Sequence, residues 1–128
     1  MKKFFSPFLN DDDLIIEQRK LDFGKKFLSP SDMLKIAYVL KTTHDCEDLN
    51  FSAARFLDEE AEILAAALKI NTSVKWINLQ DVPVSQQSIE LILQTLEERN
   101  IITKIILPDS FEKTITAAKS PPIFNLNF

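Results

Sequence analysis

The chain has 128 residues, of which 45% are apolar and 27% charged, with a formal net charge of −4 and a pI near 5.0. That composition supports one domain with a continuous core, and with no run of Lys or Arg longer than two it argues against a nucleic-acid surface. A single glycine excludes glycine-rich phosphate loops, a single cysteine excludes an internal disulfide and suits a cytosolic protein, and no apolar run reaches the roughly 18 residues of a membrane helix.

Residues 1–17 read as an N-terminal cap. Lys2-Lys3 and the short apolar stretch after them look superficially like a signal peptide, but Pro7 and Asp11-Asp12-Asp13 end it. Phe4, Phe5, Phe8 and Leu9 precede those aspartates, and Leu14, Ile15 and Ile16 follow, which suggests a short helix with an acidic first turn. The aspartates lack the spaced ligands of a calcium loop, and one histidine with one cysteine cannot build a zinc site, so neither metal nor cofactor is expected.

From residue 18 to residue 110 one pattern recurs at a spacing of 28. Cys46, Leu49 and Phe51 are followed by Val74, Ile77 and Leu79, and then by Ile102, Ile105 and Leu107. Leu21-Asp22-Phe23 is the same pattern one period upstream of Leu49-Asn50-Phe51. These segments read as short strands. Between them, Met33, Ile36, Ala37 and Leu40 correspond to Ala61, Leu64, Ala65 and Leu68, and to Ile89, Ile92, Leu93 and Leu96. Each set has the spacing of one apolar helix face. Leu28, Phe56 and Val84 form a further row before each helix. Ser29-Pro30-Ser31-Asp32 is a helix start, Asp58-Glu59-Glu60 places negative charge at the next one, and Ser85-Gln86-Gln87-Ser88 is a weaker version. Strands joined by helices on a fixed cycle make a parallel sheet covered on one side, and four parallel strands are predicted.

Residues 111–128 fall out of phase and form a C-terminal cap or tail. Phe111 to Lys119 is a candidate partial helix, and Ile123, Phe124, Leu126 and Phe128 alternate like a strand after Pro121-Pro122. That tail could cover the last repeat or dock on a partner.

The segment Leu57-Asp-Glu-Glu-Ala-Glu-Ile-Leu-Ala-Ala-Ala-Leu-Lys-Ile-Asn-Thr-Ser-Val-Lys-Trp-Ile-Asn-Leu79, repeated in outline across residues 18–110, resembles the leucine-rich repeat family in its long, ribonuclease-inhibitor-like subtype, which includes tropomodulin caps and innate immune receptors. The resemblance implies an α/β fold: a short right-handed leucine-rich repeat solenoid of about 3.5 repeats of 28 residues, with helices on the outer face. It departs from the family where Asn or Cys is usual after each strand, since Lys26, Ala54, Val82 and Ser110 stand there. The turns must therefore satisfy their polar groups by other means.

The family typically binds through its concave sheet face, and the repeat assigns residues to that face. One row is Arg19, Glu47, Lys75 and Thr103; the next is Lys20, Asp48, Trp76 and Lys104; a third is Asp22, Asn50, Asn78 and Ile106; a fourth is Gly24, Ser52, Gln80 and Pro108. The only tryptophan thus falls between Asp48 and Lys104 on a polar surface, where it is either a binding anchor, or packed along the stem of Lys104 or under the C-terminal tail. The partner-binding candidates are Trp76, Asp48, Lys104, Lys20, Glu47, Lys75, Asn50, Asn78 and Gln80. Mixed signs on such a face suit a protein partner selected by local complementarity.

Cys46 beside His44 and Asp45 invites comparison with a catalytic thiol, but Cys46 shares the core row of Val74 and Ile102, so a buried structural residue is expected and no enzyme. The resulting expectation is a non-enzymatic protein-interaction module of adaptor, inhibitor or bacterial effector type, cytoplasmic, or in the host cytosol if secreted as an effector, and a monomer or weak homodimer. The alternative is a self-assembling structural protein that associates through its caps and apolar tail.

Overall fold

The computed structural model describes residues 6–109 and the backbone of 124–126. The features expected at Phe4, Phe5, Phe111 to Lys119, Ile123 and Phe128 lie outside the described residues. Among those described, a short 3-10 helix (Asp11–Leu14) is followed by β1 (Lys20–Asp22), α1 (Pro30–Thr42), β2 (Asp48–Asn50), α2 (Asp58–Ile70), β3 (Trp76–Asn78), α3 (Gln86–Arg99), β4 (Thr103–Ile106) and β5 (Phe124–Leu126). The strands form one parallel sheet in chain order. Register advances by the period of the sequence: Leu21 lies opposite Leu49, Leu49 opposite Ile77 and Ile77 opposite Ile105. At the far edge the backbone of β5 pairs with β4 of the same chain, Thr103 opposite Phe124.

The helices form where their start signals lie. Ser29 accepts from the Asp32 N–H at 3.1 Å while Asp32 accepts from the Ser29 N–H at 3.0 Å, a reciprocal cap ahead of Pro30. Ser85 accepts from the Ser88 N–H at 3.2 Å. The middle helix has no capping hydroxyl; Glu60 reaches back to the Leu57 N–H at 2.7 Å instead. The twelve helix positions read as one apolar face are all buried. They meet the inward strand residues Leu21, Leu49, Ile77 and Ile105 in one core. Below the strand ends Phe23 stacks on Phe51 with centroids 5.4 Å apart, and Phe56 meets Phe51 edge-on at 5.4 Å. Ring geometry of this kind adds about 0.5–1.5 kcal/mol per pair beyond burial.

The turns after the strands solve the problem left by the missing Asn ladder. Asp22, Asn50 and Asn78 each turn Oδ1 onto the N–H two residues on, at Gly24, Ser52 and Gln80, over 2.9, 3.0 and 2.9 Å. One residue per turn then takes a left-handed conformation: Lys25, Ala53 and Asp81, with φ of 63°, 59° and 63°. The fourth cycle has Ile106 where the acceptor would be and Pro108 where the donor would be, so both partners are missing together.

Lys26 occupies the first of the departing positions and is buried. Its Nζ donates to the Ser6 and Phe8 carbonyls at 2.6 and 3.3 Å and lies 3.1 Å from Asp13 Oδ2, tying the N-terminal segment to the first turn. Leu9, Leu14 and Ile16 pack against the core from that segment, whereas Phe8 is exposed and leans on Phe27, centroids 6.1 Å apart.

The fourth cycle corrects the residue assignment in two places: Pro108, read as an open-face residue, is buried, and the entry to β4 is changed. The repeat predicts Ile102 in the core row of Cys46 and Val74 and Thr103 on the open face; instead Ile102 is 72% exposed and Thr103 is fully buried. The cause is the end of α3. Helices α1 and α2 coincide under a shift of 28, but α3 runs one residue further, to Arg99, and closes on Asn100 in the left-handed conformation (φ 61°, ψ 35°). Register with β3 is kept, Trp76 opposite Lys104, but β4 already begins at Thr103, and Thr103 points inward, accepting from Arg99 Nη2 at 3.2 Å and donating to the Ile101 carbonyl at 2.9 Å.

Candidate functional site: the open face of the sheet

The sheet face turned away from the helices carries the alternate strand residues, exposed or half-buried while their neighbours are in the core. Its central row has the predicted register: Lys20 opposite Asp48, Asp48 opposite Trp76, and Trp76 opposite Lys104. The backbone holds this row firmly. A tight turn with Gln18 and Arg19 at positive φ (53° and 64°) opens onto β1, and the Arg19 carbonyl accepts from the N–H groups of both Glu47 and Asp48, at 2.8 and 3.0 Å. The Glu47 carbonyl does the same for Lys75 and Trp76, at 2.8 and 3.0 Å.

Neighbouring side chains interact along the rows. Arg19 Nε lies 3.2 Å from Glu47 Oε2 and Lys20 Nζ 3.9 Å from Asp48 Oδ2. Lys104 Nζ sits over the Trp76 ring, 5.4 Å from its centroid. Exposed ion pairs of this kind contribute at most about 1 kcal/mol, so they order the surface more than they stabilise the fold. Trp76 is half-buried and is not a core residue.

The nine sequence candidates therefore separate. Trp76, Lys104, Lys75, Glu47 and Asp48 converge on one open depression of about 620 Å³, and Lys20 joins it through its pair with Asp48. Asn50 and Asn78 lie in the adjoining row, but each spends its Oδ1 on its own turn, and Asn50 Nδ2 donates to Asp22 Oδ1 at 2.9 Å. Gln80 is exposed at the strand end, outside the depression. Two lining residues, Ile101 and Ile102, escape the sequence reading. The signal for them is Asn100, a residue that tolerates the left-handed conformation, placed where the helix end can shift by one.

The other chemistry-bearing residues do not gather. Cys46 is buried and free, its Sγ 3.5 Å from the Asp48 carbonyl, and burial pushes its thiol up to about 11. His44 is exposed in the turn before β2. Asp11, Asp12 and Asp13 form the first turn of the 3-10 helix, where Asp13 accepts from the Asn10 N–H at 2.8 Å. Among the described residues no group of three or more His, Cys, Asp or Glu is placed to hold a metal ion, and no helix is long and apolar enough to cross a membrane.

A parallel sheet in which β1 to β4 follow one another through a returning helix at a constant register step is a leucine-rich-repeat-like arrangement. Among solved structures the chain is similar to "Leiomodin-1 Actin-Binding Site 2 (ABS2)", with a TM-score of 0.71 and 15% sequence identity over 92% of this chain and 79% of that one. At that identity the likeness is one of fold. No protein-family model matches the chain, and no curated protein matches it in sequence.

Proposed function

We propose that this chain is a non-enzymatic protein-interaction module, a short leucine-rich repeat solenoid of about 3.5 repeats in the ribonuclease-inhibitor-like subtype, that takes a protein partner on the open face of its sheet. The observation that carries the reading is Trp76: a large amphipathic side chain held half-exposed on a three-residue strand clamped between two others, at the centre of a depression edged by charge. Rigid aromatic anchors of this kind dominate protein interfaces, and a truncated one commonly costs about 2 kcal/mol of binding. Around it Lys104, Lys75, Glu47, Asp48 and Lys20 set orientation, with Asn50, Asn78 and Gln80 as the adjoining polar rim.

In leiomodin-1 the similar fold is an actin-binding site, which supports protein binding as a use of this architecture. The partner does not carry across at 15% identity. A single cysteine, buried and unpaired, suits a reducing compartment and a cytoplasmic setting.

The test is affinity capture with the native chain and with Trp76→Ala, both checked for native circular dichroism. A specific protein held by the first and lost by the second is the expected result. Equal capture by both would remove the open face from the reading.

A further inference from the structure

The open face is not electrically uniform. At its β1 side, Arg19 and Lys20 are matched by Glu47 and Asp48. At its β3–β4 side, Lys75 and Lys104 are exposed and, among the described residues, make no ion pair; Lys104 rests on the Trp76 ring. Ile102, the most exposed large apolar side chain among the described residues, lines the same depression. Over the rows as a whole four cations (Arg19, Lys20, Lys75, Lys104) face three anions (Asp22, Glu47, Asp48), on a chain whose net charge is −4. The depression that holds the apolar anchors is lined by Lys75 and Lys104 and also by Glu47 and Asp48, but those two carboxylates are already paired with Arg19 and Lys20, so its unmatched charge is positive.

We infer that the depression between Trp76 and Ile102 takes an acidic–apolar segment of a partner protein, one apolar side chain seated between the two anchors and flanking carboxylates answering Lys75 and Lys104. This rests on the open-face reading above. Complementarity acts on both sides of the interaction: a carboxylate gains two unpaired ammonium groups, whereas a basic segment would face them without compensation. The matched pairs at the β1 side leave little net charge to compete for the same segment. A hydrocarbon stem under the ammonium group of Lys104 also lets that charge sit over Trp76 while remaining wet, so the apolar and the charged contacts are made at one place.

The probes are short synthetic peptides in which a leucine is flanked by aspartates, by asparagines or by lysines. Binding is read in two ways: by anisotropy of a labelled peptide, and by emission of the chain's one tryptophan on adding the unlabelled peptide. The aspartate peptide should bind at least about tenfold tighter than the lysine peptide and shift Trp76 emission. Its advantage should shrink in high salt, and Lys75→Glu with Lys104→Glu should reverse the order. Absence of binding by the aspartate peptide, or an order in which the asparagine or lysine peptide equals or exceeds it, overturns the inference. If emission still responds in that second case, the open-face reading stands without its charge preference. If Trp76→Ala binds the labelled peptides as well as the native chain does, the open-face reading fails too.

Discussion

Arg99 Nη2 donates to the carbonyl oxygen of Val74 at 2.5 Å, so the last residue of α3 closes the turn that leads from α2 into β3. Its other amino group donates to the Asn71 carbonyl at 2.8 Å, and the guanidinium also reaches Thr103 Oγ1 at 3.2 Å. Burial pushes this arginine down to about 10, which leaves it charged at neutral pH. Asn71 continues the link on the other side, donating to the Leu40 carbonyl at the end of α1 over 2.8 Å and accepting from the Ser73 and Val74 N–H groups. Three helix ends are thereby joined by two polar side chains.

Arg99→Ala strips those carbonyls of their donor in a partly buried site and should destabilise the chain by about 1–3 kcal/mol. Arg99→Lys keeps the charge without the forked geometry and should recover only part of that loss. Urea denaturation of the three chains compares them directly; an unchanged midpoint for the alanine variant would show that water replaces the guanidinium at no cost.

Trp76 and Leu68 should part company under truncation. Trp76→Ala removes a half-exposed ring and its contact with Lys104, a stability loss of no more than about 1 kcal/mol. Leu68, fully buried in the core, should cost roughly 2–5 kcal/mol as Leu68→Ala, because the packed helices around it cannot close the cavity. Thermal or denaturant unfolding settles the ranking, and a Trp76 variant that unfolds as readily as the leucine variant would place the tryptophan in the core.

Cys46 should react slowly with a thiol reagent in the native state and promptly in denaturant, since burial both screens the sulfur and holds the thiol protonated up to about 11. Stopped-flow labelling gives the ratio of the two rates. Fast native labelling at neutral pH would mean that the β2 region opens readily or that the thiol is activated.

Asp58 bridges α2 to the start of α3: its Oδ1 accepts from the Ser85 N–H at 2.9 Å and from the Ser88 hydroxyl at 2.8 Å. These bonds hold its carboxyl below the usual aspartate value of 3.8. A carboxylate with a depressed folded value contributes stability that is complete above the unfolded value and is lost as pH falls through the folded one. Asp58→Asn should therefore flatten the acid limb of the stability curve below about pH 4. Acid titrations of both chains at fixed low urea would show it, and superimposable limbs would remove Asp58 from the acid response.

Ala53 stands in the left-handed region with φ of 59°, where an L side chain meets the following carbonyl. Ala53→Gly should stabilise by a few tenths to about 1 kcal/mol, the relief of strain outweighing the greater freedom of glycine in the unfolded chain. A lower midpoint in urea would mean that the methyl group packs usefully.

Much of the architecture is legible in residue order because it depends on local geometry. A helix repeats its face every 3.6 residues and a strand every two, so Met33 to Leu40 and its two copies, and Leu49, Ile77 and Ile105, are assigned to the core from spacing alone, and the Trp76 row follows by alternation. Ser29 and Ser85 announce their helices by chemistry that acts within four residues. The positions of Ile102 and Thr103 need the folded chain. They depend on α3 running to Arg99, and Arg99 is held there by acceptors contributed from Asn71, Val74 and Thr103, which only the stacking of the cycles brings together. The same holds for Asp22 and Asn50, whose bond spans 28 residues and ties Asn50, an expected surface ligand, into the turns. Periodicity specifies which side of an element is apolar, because that is a property of one element; which polar group meets which, and hence what the open face leaves unpaired, is settled only by the distance between elements.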